Sequence, residues 1–133
     1  MNKYIFASSN KNKLTELTDK LININLISLL DLGHNDDIVE SGETLEENAL
    51  IKAKTIYDQY KMPCISDDTG LEVYALGNAP GVFSARYAGL HATANDNIKK
   101  LLKKMQFIKD RRARFRTVIC LKSDLEEMYF EGV

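Results

Sequence analysis

The spacing of apolar residues changes several times along the chain, and each change predicts a new element. Lys3–Ser8 is a short apolar run typical of a buried strand. From Asn10 onward leucines recur at helical spacing with polar residues between them, which predicts a first helix. A second strand is predicted around Asn25–Leu30, and the polar stretch Asp31–Gly42 is predicted to follow it as a loop.

A second helix and a short strand are predicted in the middle of the chain. Thr44–Glu47 has the form of a capping box. The helix that it opens carries apolar residues on one face, namely Leu45, Ala49, Ala53 and Ile56. This helix must end before Pro63, because the residue preceding a proline disfavours helical geometry. Pro63–Ser66 is predicted as a buried strand, Gly70 as a turn, and Leu71–Leu76 as a further extended segment.

The last third of the chain predicts one helix and two strands. Gly77–Gly81 has the composition of a turn, and a third helix is predicted to begin at Thr93. Its apolar face would consist of Ile98, Leu101, Leu102 and Met105. Arg112–Lys122 and Glu127–Glu131 have the pattern of two strands. Strands that alternate with helices indicate an α/β architecture with a mixed sheet, and 133 residues suit a single domain.

The end of the chain breaks this regular pattern. The last predicted strand runs directly into Gly132 and Val133 without a closing helix or cap. An open, apolar edge strand is a liability in a folded protein. We therefore expect the domain to be incomplete at its C-terminus.

Composition and charge narrow the class of protein. The formal net charge of −1 gives no general attraction for nucleic acid, and the Arg111–Arg116 cluster is interpreted as a strand with one solvated face. Cys64 and Cys120 each lie in an apolar run, which favours buried, reduced thiols. The sequence has neither the pattern of a signal peptide nor an apolar stretch as long as a membrane span. We expect a cytoplasmic, soluble protein that binds neither nucleic acid nor membrane.

The turn at Ser8–Lys13 joins the first strand to the first helix and is a candidate phosphate site. Unsatisfied backbone amides at a helix N-terminus suit an anion, and two lysines reinforce them. The alternative, which the segment alone favours, is helix capping by Ser9 or Asn10 with solvated lysines.

The paired acids Asp67 and Asp68 follow a buried strand and are candidates for Mg²⁺ binding. Mg²⁺ prefers a few hard oxygen ligands and keeps several of its waters. The alternative is an Asx turn that leads into Gly70. Glu40 lies outside the capped second helix, so capping does not explain it, and a loop acid there would supply a second metal ligand. Ala79–Gly89 could close over a ligand or could be a packed surface loop.

Four motifs occur in order along the chain: S-x-N-x-x-K, E-x-G-x-T-x-x-E-N-A-x-x-K-A, S-D-D-T-G-L and A-P-G-x-x-S-A-R-Y-A-G. Together they resemble the inosine/xanthosine triphosphate pyrophosphatase family, the Ham1-like proteins, over nearly the whole chain. The resemblance implies an elongated, two-lobed α/β fold around a curved mixed sheet, with the nucleotide in a cleft between the lobes. It also implies a homodimer.

The same resemblance implies roles for individual residues. A purine nucleoside triphosphate would be held by Ser8, Asn10, Lys13 and Lys52, with Thr69 against the substrate. Glu40 and Asp68 would carry Mg²⁺, and Asp68 would also activate water, assisted by its neighbour Asp67. The catalytic set would then consist of Asp68, Lys13 and Lys52.

The implied reaction is Mg²⁺-dependent hydrolysis of ITP, dITP or XTP to the monophosphate and pyrophosphate, which removes these nucleotides from the pool. The family also has an F-x-Y-D-P segment and an S-H-R segment that contact the base. This chain has neither, and its preferred base is therefore not predicted. The alternative is a catalytically silent nucleotide-binding module, or an inactive fragment.

Overall fold

The protein, described here by a computed structural model, contains three helices and a six-stranded sheet within residues 2–133. The elements in chain order are β1 Asn2–Phe6, α1 Lys11–Lys20, β2 Ile24–Ser28, α2 Leu45–Tyr60, β3 Cys64–Val73, β4 Ala79–Gly81, α3 Ala94–Lys104, β5 Ala113–Lys122 and β6 Glu127–Gly132. Short 3₁₀ turns lie at Tyr74–Leu76 and Ser84–Arg86. Among the described residues, none of the helices is long and apolar enough to cross a membrane.

The sheet is mixed, which confirms the predicted α/β class. Its strand order is β2-β1-β3-β5-β6, with β4 paired to β3 outside that path. β1 runs parallel to both β2 and β3, whereas β4 is antiparallel to β3. The last residue of β1, Phe6, is in register with Ile65 of β3. The residues that follow β1 therefore lie beside the acids within β3.

The chain divides into two compact units. The first comprises residues up to Asp68 together with Val118–Glu131, and the second comprises Thr69–Thr117 together with Gly132–Val133. The first unit holds most of the fully buried apolar side chains, including Ile5, Phe6, Leu45, Ala49, Ala53, Ile56, Cys64, Val118 and Cys120. That the whole chain forms one domain remains a prediction.

Both cysteines are free and buried, as the sequence predicted. Burial raises the pKa of Cys64 to about 12, and it raises the pKa of Cys120 to about 11. Both side chains therefore remain neutral thiols near pH 7.

The second helix begins and ends close to the predicted limits. Thr44 Oγ1 accepts a hydrogen bond from Glu47 N at 3.0 Å, which is one half of the predicted capping box. The Glu47 carboxylate accepts from Glu43 N at 2.6 Å, so the reciprocal bond is made one residue earlier than predicted. The helix stops at Lys61, whose φ of 55° is left-handed, two residues before Pro63.

The predicted turn at Gly70 is wrong, because β3 continues through this residue to Val73. A side chain at Gly70 would collide with the carbonyl group of Gly81 on the paired strand β4. The glycine therefore serves a close approach of two backbones rather than a turn. The predicted extended segment Leu71–Leu76 ends early, at Val73, because a 3₁₀ turn follows.

Two faces in the second unit differ from the sequence prediction. Ile98 and Leu102 of α3 are 52% and 57% exposed, so the predicted apolar face of this helix is not buried as a whole. On β5 the arginines were expected to face solvent, but Arg114 and Arg116 both pair with Glu72. Phe115, between them, is 66% exposed.

Candidate active site

The parallel pairing of β1 with the first residues of β3 places the first two candidate motifs side by side. Phe6 is in register with Ile65, and Ala7 N donates to Ile65 O at 2.8 Å. Ser8 follows directly on one strand, and Asp67 lies two residues beyond Ile65 on the other. The parallel register thus joins the predicted phosphate turn to the predicted metal acids within the first unit.

At the N-terminus of α1 the structure shows helix capping by Asn10, which was one of the two interpretations of this turn. Asn10 Oδ1 accepts from Asn12 N at 3.0 Å and from Lys13 N at 3.2 Å. Ser8 Oγ accepts from Asn10 N at 3.1 Å. Because Asn10 uses these two helix amides, the expected cradle of open backbone amides is not formed by Asn12 and Lys13. Phosphate contacts from this turn would come from side chains.

Two lysines bring the predicted acids together. Lys13 Nζ lies 2.7 Å from Asp67 Oδ2. Lys52 Nζ lies 2.9 Å from Glu40 Oε1 and 3.9 Å from Asp68 Oδ1, and it also donates to the backbone carbonyl of Asp67. All five side chains belong to the first unit, and we call them the acid–lysine cluster.

The surroundings of Asp68 shift the pKa of its carboxyl group. Burial raises the pKa of Asp68, the Lys52 ammonium lowers it, and the nearby Glu40 carboxylate raises it again, with a net rise. Two carboxylate oxygens, Asp67 Oδ1 and Asp68 Oδ2, are buried and have no hydrogen-bond partner among residues 2–133. Buried acceptors of this kind are uncommon in folded proteins and require an explanation.

A divalent cation is one such explanation, and the residues present fit Mg²⁺. Glu40 and Asp68 supply hard oxygens around the position of the Lys52 ammonium, and Mg²⁺ is commonly bound by one or two carboxylates together with substrate phosphates. Within residues 2–133 no group of three or more His, Cys, Asp or Glu side chains is arranged to hold a metal. A cation here would therefore take further oxygens from phosphate and water.

A cavity of about 740 Å³ adjoins the acid–lysine cluster, a volume that suits a nucleotide-sized ligand. Ser8, Asn10, Glu40 and Lys52 line one part of it. The polar loop 34–38 also lines the cavity, and His34 Nδ1 in this loop lies 3.2 Å from the Tyr60 hydroxyl. The sequence predicted a loop here but gave it no role at the site.

Thr69 and the segment Ala79–Gly89 belong to the second unit. Thr69 Oγ1 lies 2.8 Å from Thr117 Oγ1, and the predicted contact of Thr69 with substrate remains a prediction. Ser84 Oγ accepts from Leu71 N at 2.9 Å and donates to Gly81 O at 2.6 Å. These bonds support the packed-loop alternative for this segment.

Comparison with known proteins agrees with the four motifs. The Ham1 family model matches residues 4–133. A protein of Flavobacterium psychrophilum named dITP/XTP pyrophosphatase is 45% identical over 130 residues, covering 97% of this chain and 68% of that protein. A protein of the same name from Porphyromonas gingivalis is 46% identical over 134 residues, covering 99% and 69% respectively.

Solved structures give the same result. A HAM1 protein from Coxiella burnetii superposes with a TM-score of 0.91 at 38% identity, covering 99% of this chain and 70% of that one. The Staphylococcus aureus Ham1 protein gives a TM-score of 0.89 at 37% identity, with 98% and 69% covered. The fold and the ordered motifs define an α/β protein of the Ham1 type. The chain belongs to the Ham1 family.

Proposed function

We propose that this chain is a Mg²⁺-dependent nucleoside triphosphate pyrophosphatase that acts on non-canonical purine nucleotides such as ITP, dITP and XTP. Its products would be the nucleoside monophosphate and pyrophosphate. Membership of the Ham1 family supports the proposal, as do relatives that carry the name dITP/XTP pyrophosphatase. The biological consequence would be removal of these nucleotides from the pool.

The observation that carries the proposal is the position of Lys52 between two carboxylates. Its ammonium group lies within 2.9 Å of Glu40 and 3.9 Å of Asp68 at the wall of a nucleotide-sized cavity. Triphosphate oxygens entering this cavity would meet Lys52 and the side chains of Ser8 and Asn10. They would also compete with Asp67 for Lys13, whose side chain is 35% exposed.

The reaction divides these residues into two roles. Lys13 and Lys52 would neutralise charge on the phosphate oxygens, which is the main requirement of phosphoryl chemistry. Asp68 would accept a proton from a water that attacks the α-phosphorus, while the bond from that phosphorus to the bridging α–β oxygen breaks and pyrophosphate leaves. Burial raises the pKa of Asp68, which makes it a stronger base than an exposed carboxylate. Mg²⁺, held by Glu40 and Asp68 when bound, supplies charge neutralisation and orientation of the water.

Three finer proposals accompany this one. Thr69 would contact the substrate, as the resemblance to the Ham1 family implies. The chain would act as a homodimer, for which sedimentation at micromolar concentration is the test, and a monomer under those conditions would contradict it. The protein would work in the cytoplasm, where the nucleotide pool that it acts on is found.

Release of pyrophosphate tests the proposal directly. We expect turnover of dITP and XTP in the presence of Mg²⁺, loss of turnover with a chelator, and slower turnover of dATP and dGTP. Asp68→Asn should lower kcat by about a hundred- to ten-thousandfold, the range of general-base catalysis. Asp58→Asn is the matched control, because Asp58 is exposed and pairs only with Lys54 on the surface of α2. Equal rates for the two variants would contradict the assigned role of Asp68.

A further inference from the structure

Asn48 is a polar residue in the core of the first unit that the proposed reaction does not use. It lies on α2 and is 1% exposed. Burying a side-chain amide is unfavourable unless it makes hydrogen bonds. Its Oδ1 accepts a bond from Gly42 N at 2.7 Å, so the amide is bonded to the loop that precedes the helix.

The loop backbone at Gly42 lies very close to helix α2. A side-chain carbon at Gly42 would lie 2.6 Å from Asn48 Oδ1 and 2.7 Å from Glu47 Cβ, distances that no real contact reaches. Only a glycine therefore brings the loop backbone close enough to α2 for the bond to form. Gly42 is two residues after Glu40, so holding the Gly42 backbone against α2 also restricts the position of Glu40.

The same face of α2 also contacts the acid in β3. Asn48 and Lys52 are four residues apart and therefore neighbours on the helix surface. Lys52 reaches both Glu40 and Asp68. Asn48 also lies close enough to Asp68 to lower the pKa of its carboxyl group, against the larger effect of burial. One helix turn thus contacts both of the acids proposed to share a cation.

We propose that Asn48 is a positioning residue that holds the loop at Gly42 and thereby sets the separation of the Glu40 and Asp68 carboxylates. It would act through the positions of the Glu40 and Asp68 carboxylates and not by contact with the substrate. The proposal rests on the proposed function, because the separation matters only if these two acids bind a divalent cation together.

Cation binding in the absence of nucleotide tests this role separately from activity. We expect Mn²⁺, measured by calorimetry, to bind Asn48→Ala at least tenfold more weakly than wild type. Pyrophosphate release should then need at least tenfold more Mg²⁺ for half-maximal rate. Gly42→Ala disturbs the same contact from the loop and should give the same change. The double variant should be no worse than the more affected single variant, because both remove one interaction.

A stability control separates positioning from general damage. Ile56→Ala removes a fully buried apolar side chain from the same helix, two turns after Asn48, and leaves the bond between Gly42 and Asn48 in place. It should lower the unfolding midpoint without changing Mn²⁺ affinity. Wild-type affinity in both Asn48→Ala and Gly42→Ala would overturn the positioning role and leave the proposed function intact. A wild-type chain that neither binds Mn²⁺ nor releases pyrophosphate would overturn both proposals.

Discussion

Two charged clusters each include carboxylates of strand β3, and they differ in whether the carboxylate oxygens are hydrogen-bonded. In the first unit, the buried oxygens Asp67 Oδ1 and Asp68 Oδ2 have no hydrogen-bond partner. In the second unit, Glu72 is 7% exposed, and both of its oxygens are bonded: Arg114 Nε donates to Oε1 at 2.7 Å and Arg116 Nε to Oε2 at 3.1 Å. In the first cluster two lysines contact three carboxylates, whereas in the second two arginines bond the single carboxylate of Glu72.

The pKa values of Asp68 and Glu72 are shifted in opposite directions, in line with this difference in hydrogen bonding. Burial raises the pKa of Asp68, and Lys52 only partly offsets the rise. Burial also acts to raise the pKa of Glu72, but hydrogen bonds from Arg114 and Arg116 outweigh it, so the net pKa is lowered. A buried charge with all its partners contributes to the fold, whereas a buried charge without them marks a place where a ligand supplies the missing contacts. We therefore expect catalysis to depend on the first cluster and stability to depend on the second.

The largest effect is expected from removing Lys52, one of the two cations in the first cluster. Lys52→Met should lower kcat/KM for dITP by about a hundred- to a thousandfold, the usual cost of losing one electrostatic stabiliser of the transition state. Lys54→Met is the matched control on the same helix, because Lys54 is 60% exposed in its side chain and pairs only with Asp58. Steady-state pyrophosphate release from both variants is the measurement. Similar losses in both would show that the position of Lys52 between the acids is not what matters.

A smaller effect, on stability rather than activity, is expected in the second cluster. Glu72→Gln leaves two guanidinium groups without their carboxylate, and we expect it to cost about 2 kcal/mol of unfolding free energy. This value lies between the few kcal/mol of a fully buried pair and the small contribution of an exposed one, since Arg114 is 35% exposed. Urea unfolding provides the measurement.

The control for Glu72 is an ion pair of the same chemistry on the surface. Asp110 pairs with Arg112 at 3.0 Å, but the side chains are 40% and 75% exposed. Asp110→Asn should leave the unfolding midpoint unchanged. If it destabilised the protein as much as Glu72→Gln, burial would not be what distinguishes the two pairs.

Asp68 and Glu72 should also change the stability of the protein with pH in opposite directions. The raised pKa of Asp68 means that its ionisation costs stability as pH rises above the ordinary value of 3.8, so Asp68→Asn should stabilise the protein at pH 7. The lowered pKa of Glu72 means that its ion pairs contribute fully above the ordinary value of 4.5 and are lost as pH falls through the lowered pKa.

Denaturant unfolding at pH 7 and at pH 3 separates these signs. Asp68→Asn should be more stable than wild type at pH 7 and closer to it at pH 3. Glu72→Gln should be less stable than wild type at pH 7, with a smaller difference at pH 3. Changes of the same sign at pH 7 would remove the distinction between a ligand cluster and a structural one.

Sequence reasoning predicted what depends on local pattern. The helices after Asn10, Thr44 and Thr93 were found because their caps and apolar spacing lie within a few residues of one another. The candidate residues of the first unit came from ordered motifs, and the parallel register of β1 and β3 then placed their backbones together.

What the sequence missed depends on contacts between distant residues. The pairing of Glu72 with Arg114 joins residues 42 positions apart, so the arginines looked like a solvated face. Gly70 looked like a turn because its packing partner, Gly81, belongs to another strand. The bond between Gly42 and Asn48 spans only six residues, but it requires the loop to return onto the helix, and no periodic pattern records that.

The smallest effect in the comparison concerns the two helix caps, Asn10 in the first unit and Thr93 in the second. Asn10 bonds two helix amides, and Thr93 bonds Asp96 N at 3.1 Å. Replacing either by alanine should cost about 1 kcal/mol, the usual value of an N-cap. Only Asn10→Ala should raise KM for nucleotide as well, because Asn10 lines the cavity and orders the turn that leads to Lys13. Urea unfolding and KM for dITP measure the two effects. An equal rise in KM for Thr93→Ala would mean that lost stability, rather than lost contact with the triphosphate, accounts for both.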